Sequence, residues 1–497
     1  MPGQSPVRAH KERLSVGAEQ RGIEPVPVGD RHGNPLQLFW VWFAANISIL
    51  GLPLGITLVA LGLSIWQVII VVVVGAVGSF TLVGVISIAG RRGGAPSLTL
   101  SRATFGVRGN IGPTIASLCS RLGWETVNTT TAAFALLSLS ALVFGTAPDA
   151  RDVPALAIAC ILFFVACTVA ISNMGHAFLL TVQKWATWVF GALNLFVGVF
   201  LIATVDWSAV LGVPAGPASA VIVGIGTVAA GTGISWANAG ADMSRYQSPL
   251  AKTRNLVASA AAGAGIPLVL MISLGGLLGA SDGSLASATD PVAAIREILP
   301  SWMAVPYLIA AFAGLLSCNH LSMYSTGLST LTLGIRIRRV YTVFVDVTVT
   351  TIGSIYFMLI AGNFYGPFIT FISLLAVPIT AWVAVFIVDM IKRVRYDEVG
   401  LMDLRPTSSY WYIGGVEWRA TSSWALGIIV GYCFTTAQIS STEVWFAGPF
   451  AATWLGQNGL GWAITLAVSG LLYLILGGAR GRGTELSSTP HQSVVAR

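Results

Sequence analysis

The sequence predicts an all-α integral membrane protein of about 12 transmembrane helices, and three observations carry that expectation. Of the 497 residues, 55% are hydrophobic and only 9% charged. An average soluble protein carries about 25% charged residues, so this chain lacks the polar surface to cover a water-soluble fold. The apolar residues fall in runs of roughly 20 or more, the length that crosses a hydrocarbon core as a helix. The 55 glycines gather inside those runs, where small residues let membrane helices approach closely.

Taken in order, the first 35 residues are polar, with Arg8, Lys11, Arg13, Arg21, Glu24, Asp30 and Arg31 spread through them. They lack the apolar stretch of a signal peptide, so a cytoplasmic tail is expected. Spans follow near 37–60, 64–89, 112–144, 153–172, 176–204, 217–241, 253–280, 302–331, 340–361, 367–391, 421–440 and 458–478. The third and eighth runs are longer than a perpendicular helix needs, which predicts tilt or extension beyond the bilayer. From about Arg480 the chain is again polar and Ser-rich, reading as a disordered tail.

Basic residues set the orientation. With the N-terminus inside, cytoplasmic loops hold Arg91, Arg92, Arg102 and Arg108, then Arg245, Lys252 and Arg254, then Arg336, Arg338 and Arg339, then Lys392, Arg393 and Arg395. The opposite loops hold Asp149, Asp152, Asp206, Asp282, Asp290 and Glu297, with only Arg151 and Arg296 as basic company. Both termini are expected in the cytoplasm. The net charge of +7 then reflects loops facing anionic lipid, with no basic-aromatic patch to indicate nucleic acid. The five cysteines, all in apolar stretches, show neither metal-ligand spacing nor a disulfide framework.

Function has to be sought where the apolar pattern breaks, because polar or helix-breaking residues at membrane depth are costly. In the first span, the run from Ala45 to Gly55 includes Asn46, Ser48, Gly51 and Pro53, and it should unwind there. In the sixth, Gly231-Thr232-Gly233-Ile234-Ser235-Trp236-Ala237-Asn238 predicts a second break. The two lie at matching places if spans one to five and six to ten are structural repeats, an arrangement that puts a binding site near the midplane. Packing glycines in membrane helices are the plainer reading of either break alone.

The third span places Trp124 and Asn128 four residues apart, hence on one helix face. An indole that stacks on a ring, beside an amide that both donates and accepts, suits a planar heterocycle. A packing or interfacial role accounts equally well for Trp124 by itself. Glu125 points elsewhere on the helix and reads either as a proton-titrating group or as the ion-pair partner of Arg121. The eighth span carries a polar stripe, Ser317-Cys318-Asn319-His320-Leu321-Ser322, that offers ligands but also the hydrogen bonds that hold membrane helices together. His320 reads first as a satisfied interhelical residue and second as a proton relay.

Several segments together resemble the nucleobase:cation symporters of the purine/cytosine permease type: Arg21-Gly22-Ile23-Glu24-Pro25, Trp42 to Asn46, Gly123-Trp124 to Asn128, Ser235-Trp236 to Tyr246, and Ser317-Cys318-Asn319. The resemblance covers most of the chain. It implies a LeuT-like fold, with two inverted five-helix repeats and two peripheral helices. The organisation that follows is an N-terminal tail over 1–35, a ten-helix core over 36–392, a cytoplasmic loop over 393–420, two peripheral helices over 421–479 and a C-terminal tail over 480–497.

The resemblance further implies that the substrate lies between Trp124 and Trp236, its edge read by Asn128 and Asn319, with Ser235 and Asn238 nearby. The coupling cation would lie between first-helix carbonyls near Gly51 and the eighth-helix pair Ser317 and Cys318, with Glu125 as a further coupling candidate. Cysteine is a poor ligand for a hard cation, so the coupling ion is either sodium or a proton, and no cofactor is expected. The expected function is import of a nucleobase, cytosine or a purine, by cation symport in a plasma membrane, specifically a bacterial inner membrane. Hydantoin, allantoin, pyridoxine and thiamine fit the same logic. An enzyme is not expected, since the chain holds no HExxH, GxSxG or His/Cys metal cluster. A channel or a non-transporting receptor would share the fold.

Overall fold

The computed structural model describes residues 22–172, 176–287, 291–335, 337, 339–361, 364–439 and 443–477. The tail charges Arg8, Lys11, Arg13 and Arg21, the loop residues Arg336, Arg338 and Asp290, and the tail over 480–497 lie outside the described residues.

The chain is a bundle of helices that runs in sequence order through α1 (Pro35–Asn46 and Gly51–Ala60), α2 (Ile65–Gly93), α3 (Ile111–Phe144), α4 (Pro154–Ser172), α5 (His176–Ala203) and α6 (Ala218–Ser244). It continues through α7 (Thr253–Ser281), α8 (Ser301–Thr332), α9 (Arg339–Ile355), α10 (Tyr365–Lys392), α11 (Trp418–Cys433) and α12 (Gly461–Leu476). Among the described residues, 9 helices are long and apolar enough to cross a membrane, or 10 with the bent α1 counted as one span. The last two helices are 16 residues each, about 24 Å at 1.5 Å per residue, short of the roughly 30 Å hydrocarbon core. The expected count of about twelve spans is therefore not established. The span expected over 421–440 ends early because the chain leaves the helix at Phe434 and pairs β1 (Thr436–Gln438) with β2 (Val444–Ala447) in an antiparallel hairpin.

Burial is distributed as a membrane protein requires. Large apolar side chains such as Ile70, Leu195, Val199, Phe344 and Ile352 are more than half exposed on the outer faces of the helices. Arg121, Glu125, Asn128 and Asp346 are buried within. In water that surface would be an aggregation liability; facing lipid it is the favourable arrangement.

The packing has an internal symmetry that the sequence only hinted at. Helix α1 packs on α7 while α6 packs on α2. Likewise α3 packs on α9 and α8 on α4, and α5 lies against α1 and α8 as α10 lies against α6 and α3. Exchanging the first five helices with the next five leaves this pattern unchanged, which is what two five-helix repeats demand. The α1–α7 contact is backbone on backbone: a Cβ at Gly55 or Gly275 would run into carbonyls of the facing helix. Small residues at both positions permit that approach.

The two repeats are not identical where they break. Asn34 starts α1 through a capping box with Gln37, and Pro35 occupies the first turn. Helical bonding then lapses over Ile47–Leu50, and the halves of α1 bend by 66°. In α6 the expected break is milder. The helix loosens into a π turn (Ala230–Ile234) and a 3-10 turn (Ala237–Ala239) but stays one span. The Ser235 hydroxyl donates to the Ala230 and Thr232 carbonyls at 2.7 and 3.0 Å, which satisfies oxygens that the loosened turn would leave bare.

One end of the bundle carries most of the described basic residues, and we call it the basic face. Several of these are not free to meet lipid, contrary to the loop reading. Arg102 is buried and donates to the Leu401 and Thr332 carbonyls, both at 2.7 Å. Arg393 pairs with Asp389 at 2.7 Å. Arg245 donates to the Gly22 carbonyl and the Tyr324 hydroxyl. The segment before α1 is strapped across this face: Val26 donates to the Gly94 carbonyl, and Arg31 reaches the carbonyls of Val26, Arg91 and Arg92 as well as Glu398.

Candidate substrate site in the helix bundle

At the level of the α1 break, six helices enclose a cavity of about 70 Å³, several times the room one water needs. Helix α1 contributes Gly51, α3 contributes Arg121, Trp124 and Asn128, α6 contributes Ser235 and Trp236, α8 contributes Cys318 and α10 contributes Phe368. Residues distant in sequence thus converge because two helices are deformed where α3 and α8 cross.

Each aromatic is held by a neighbour of its own. Trp124 packs edge-on against Phe368 with ring centroids 5.4 Å apart. Trp236 packs edge-on against the buried Trp42 at 5.4 Å. Edge-to-face contact fixes the plane of each indole.

The amides form a relay from α3 through α8 to α4. Asn128 donates to the Asn319 side-chain oxygen at 3.3 Å and toward the Cys318 sulfur at 3.6 Å. Asn319 donates in turn to Thr168 at 3.3 Å. The Asn128 oxygen is buried without a partner, so it is an acceptor available to the cavity. Asn319 does not line the cavity; it stands behind Asn128 and orients it. Asn238 lies elsewhere, donating to the Ser117 hydroxyl at 2.7 Å and holding α6 to α3.

The structure separates the candidates for the cation. Gly51 and Cys318 line the cavity, whereas Ser317 does not, and its carbonyl accepts from Gln183 at 3.1 Å. The α8 residue that faces the opened carbonyl of Ile47 is Gly314, where a Cβ would lie 2.6 Å from that oxygen. At that contact α8 offers no hydroxyl. His320 is buried, with Nδ1 bonded to the Leu316 carbonyl at 2.8 Å and Nε2 to Gln183 at 3.1 Å, the satisfied interhelical role.

Glu125 does not pair with Arg121. It turns to α8, where one oxygen accepts from Thr326 at 2.6 Å and the other is buried without a partner. Sequence reasoning missed two residues nearby. Asp346, on α9, is buried with both carboxyl oxygens lacking a partner. The signal was present, since an acidic residue seven positions into an apolar span is costly, but its neighbours hid it among threonines. The other is Arg121, read only as a partner for Glu125. It is buried, lines the cavity, and stands with its guanidinium carbon 4.3 Å from the centre of the Trp236 ring.

A bundle with this exchange symmetry, a broken first helix and an aromatic and amide-lined cavity at the break defines a membrane transport protein, not an enzyme. Residues 25–460 match the family described as permeases for cytosine/purines, uracil, thiamine and allantoin, and the chain belongs to that family. It is 28% identical over 481 residues to YxlA of Bacillus subtilis (strain 168), a protein named as a purine-cytosine permease, covering 92% of this chain and 95% of the relative. Among solved structures it is similar to Mhp1, a nucleobase-cation-symport-1 family transporter, in a closed conformation with bromovinylhydantoin bound. That match has a TM-score of 0.70 at 20% identity and covers 91% of this chain and 94% of the other. The inward-facing conformation of Mhp1 matches with a TM-score of 0.66 at 21% identity, over 92% and 94% of the two chains. The fold is thus the LeuT-like one, and the protein is a multi-pass membrane permease.

Proposed function

We propose that the protein imports a flat nucleobase-type heterocycle by cation symport through alternating access, with the ring held between Trp124 and Trp236 and read by Asn128. The observation that carries this reading is the convergence of both indoles and an unpartnered amide oxygen on one cavity at the α1 break. The hydantoin ring named in the Mhp1 structure is a flat, polar heterocycle of the same chemistry. Hydantoins, allantoin, pyridoxine and thiamine remain the alternative cargoes. By the positive-inside rule we assign the basic face and both termini to the cytoplasmic side, in a bacterial plasma membrane such as that of the Bacillus relative.

A wider space of about 630 Å³ lies between α6, α10 and the β-hairpin and shares Ile372 with the substrate cavity. It serves as the outer vestibule, and the α10 segment from Phe368 to Ile372 is the gate.

Of the two coupling ions the proton is favoured. A sodium site at the α1 break is best completed by α8 hydroxyls, and of the α8 pair expected to supply them Cys318 is a thiol while Ser317 does not line the cavity. Glu125 and Asp346 instead leave three buried carboxyl oxygens without donors, an arrangement relieved by protonation. Closure over substrate and proton together then favours the state that opens inward.

The deciding experiment is uptake of radiolabelled cytosine, adenine, guanine, hypoxanthine and uracil into proteoliposomes, with sodium and proton gradients imposed separately and Trp124→Ala as control. Saturable uptake driven by the proton gradient and lost in Trp124→Ala supports the reading. Uptake driven only by sodium overturns the ion assignment, and no uptake of any base overturns the cargo.

A further inference from the structure

Among the described residues Arg121 is the charged residue that lines the substrate cavity, and its guanidinium makes no hydrogen bond or ion pair to a neighbour. Nε and Nη2 are buried and neither has a hydrogen-bond partner. Other buried arginines of the chain are differently placed: Arg102 is bonded to two carbonyls and Arg393 to a carboxylate. The acids nearest Arg121 make their hydrogen bonds to other residues, and neither is bonded to it. Glu125 turns to Thr326, and Asp242 accepts from the Ser97 amide and the Ser325 hydroxyl. Stacking on Trp236 attracts the cation but does not accept its in-plane N–H bonds or neutralise its charge.

Nε and Nη2 form one side of the guanidinium fork, where two parallel N–H bonds meet two adjacent acceptor atoms. A buried, unpaired charge beside unsatisfied donors is costly, and an anion that accepts from both relieves both costs. From this geometry we infer that the cargo is an acidic heterocycle, a flat ring that carries negative charge at neutral pH on an edge of two adjacent acceptors. A ring carboxylate or the N–C–O edge of an ionised ring amide has that form. Trp236 then supports ring and guanidinium together, and Arg121 selects by charge within the class of flat rings. The inference rests on the heterocycle-transport reading above.

The test is equilibrium binding and proteoliposome uptake of radiolabelled orotate and urate against their uncharged counterparts uracil and hypoxanthine. Cytosine is added as a neutral ring with two adjacent acceptors. Arg121→Gln and Arg121→Lys are compared with wild type after their monodispersity is checked. We expect the anions to bind at least tenfold tighter than the neutral rings in wild type. In Arg121→Gln that preference, read as the ratio of anion to neutral-ring affinity, should fall to within about twofold, and Arg121→Lys should lie between. Cytosine binding as tightly as the anions overturns the charge requirement. Neutral rings preferred by wild type, or an anion preference that survives in Arg121→Gln, overturns the inference while the transport reading stands. No ring of either kind bound by folded wild type overturns both.

Discussion

Trp236 is held by a T-shaped contact with Trp42 and by the guanidinium of Arg121 over its ring, so it is a prepared platform and not a side chain that must first be ordered. Stacking on such a ring is worth about 0.5–1.5 kcal/mol beyond simple burial. Trp236→Ala should therefore raise the substrate KM about tenfold, read in initial-rate uptake. Asn128 and Asn238 make a sharper comparison, because only Asn128 offers a cavity-facing acceptor. Asn128→Ala should weaken binding about tenfold, from the loss of a polar contact of roughly 1.5 kcal/mol. Asn238→Ala should leave ligand affinity nearly unchanged and lower thermal stability, and a substrate-specific loss there would contradict its assignment. At this scale the sequence exposed Trp124 and Asn128 through their four-residue spacing. It did not expose the partner of Glu125, because Arg121 and Thr326 were equally available to it and only the crossing of α3 and α8 decides between them.

Among the elements, α1 and α6 show how far local sequence carries. Gly and Pro around residue 51 marked the α1 break, and it is there; the same glycine signal in α6 produced only a π turn and a 3-10 turn. The difference lies in Ser235, whose hydroxyl closes the bare carbonyls, and in the absence of a proline to remove a donor. The α1–α7 seam predicts its own failure. Gly55→Leu would drive a side chain into the backbone of α7 and should cost about 1–3 kcal/mol or more, seen as a lower Tm for the purified protein. The short helix ends of α11 and α12 were the least legible, because a span and a hairpin share the same β-branched, aromatic residues over 434–447. In the loop before α11, Asp403 accepts from Thr407 and Arg405, which lowers its pKa from 3.8 to about 2. A depressed carboxylate stabilises the loop above its unfolded pKa and loses that effect as pH falls through the folded one. Hydrogen exchange at 403–408 should thus be faster in Asp403→Asn than in wild type at pH 5, with the difference gone near pH 2.

Across the whole molecule, the exchange symmetry of the ten helices divides them into two groups, α1, α2, α6 and α7 packed on one another, and α3, α4, α8 and α9 packed on one another. The substrate cavity lies between them, so motion of one group against the other changes access without dismantling either. Composition made the membrane class legible at once, and the paired glycine breaks hinted at the repeat. The symmetry itself was not, because helices that match in space share packing geometry and not residue identity.

The strap of residues 22–31 lies across the seam of the basic face, tied to α2 through Arg31, to α6 through Arg245 and to the loop after α10 through Glu398. On the import reading proposed above, passage through that face requires these ties to open, and where that opening limits the cycle it carries a large activation enthalpy. Turnover should then rise steeply with temperature while substrate affinity stays nearly flat. Freeing the tie between buried Arg31 and half-exposed Glu398 with Glu398→Gln should quicken release a few-fold, read as the efflux rate from loaded proteoliposomes.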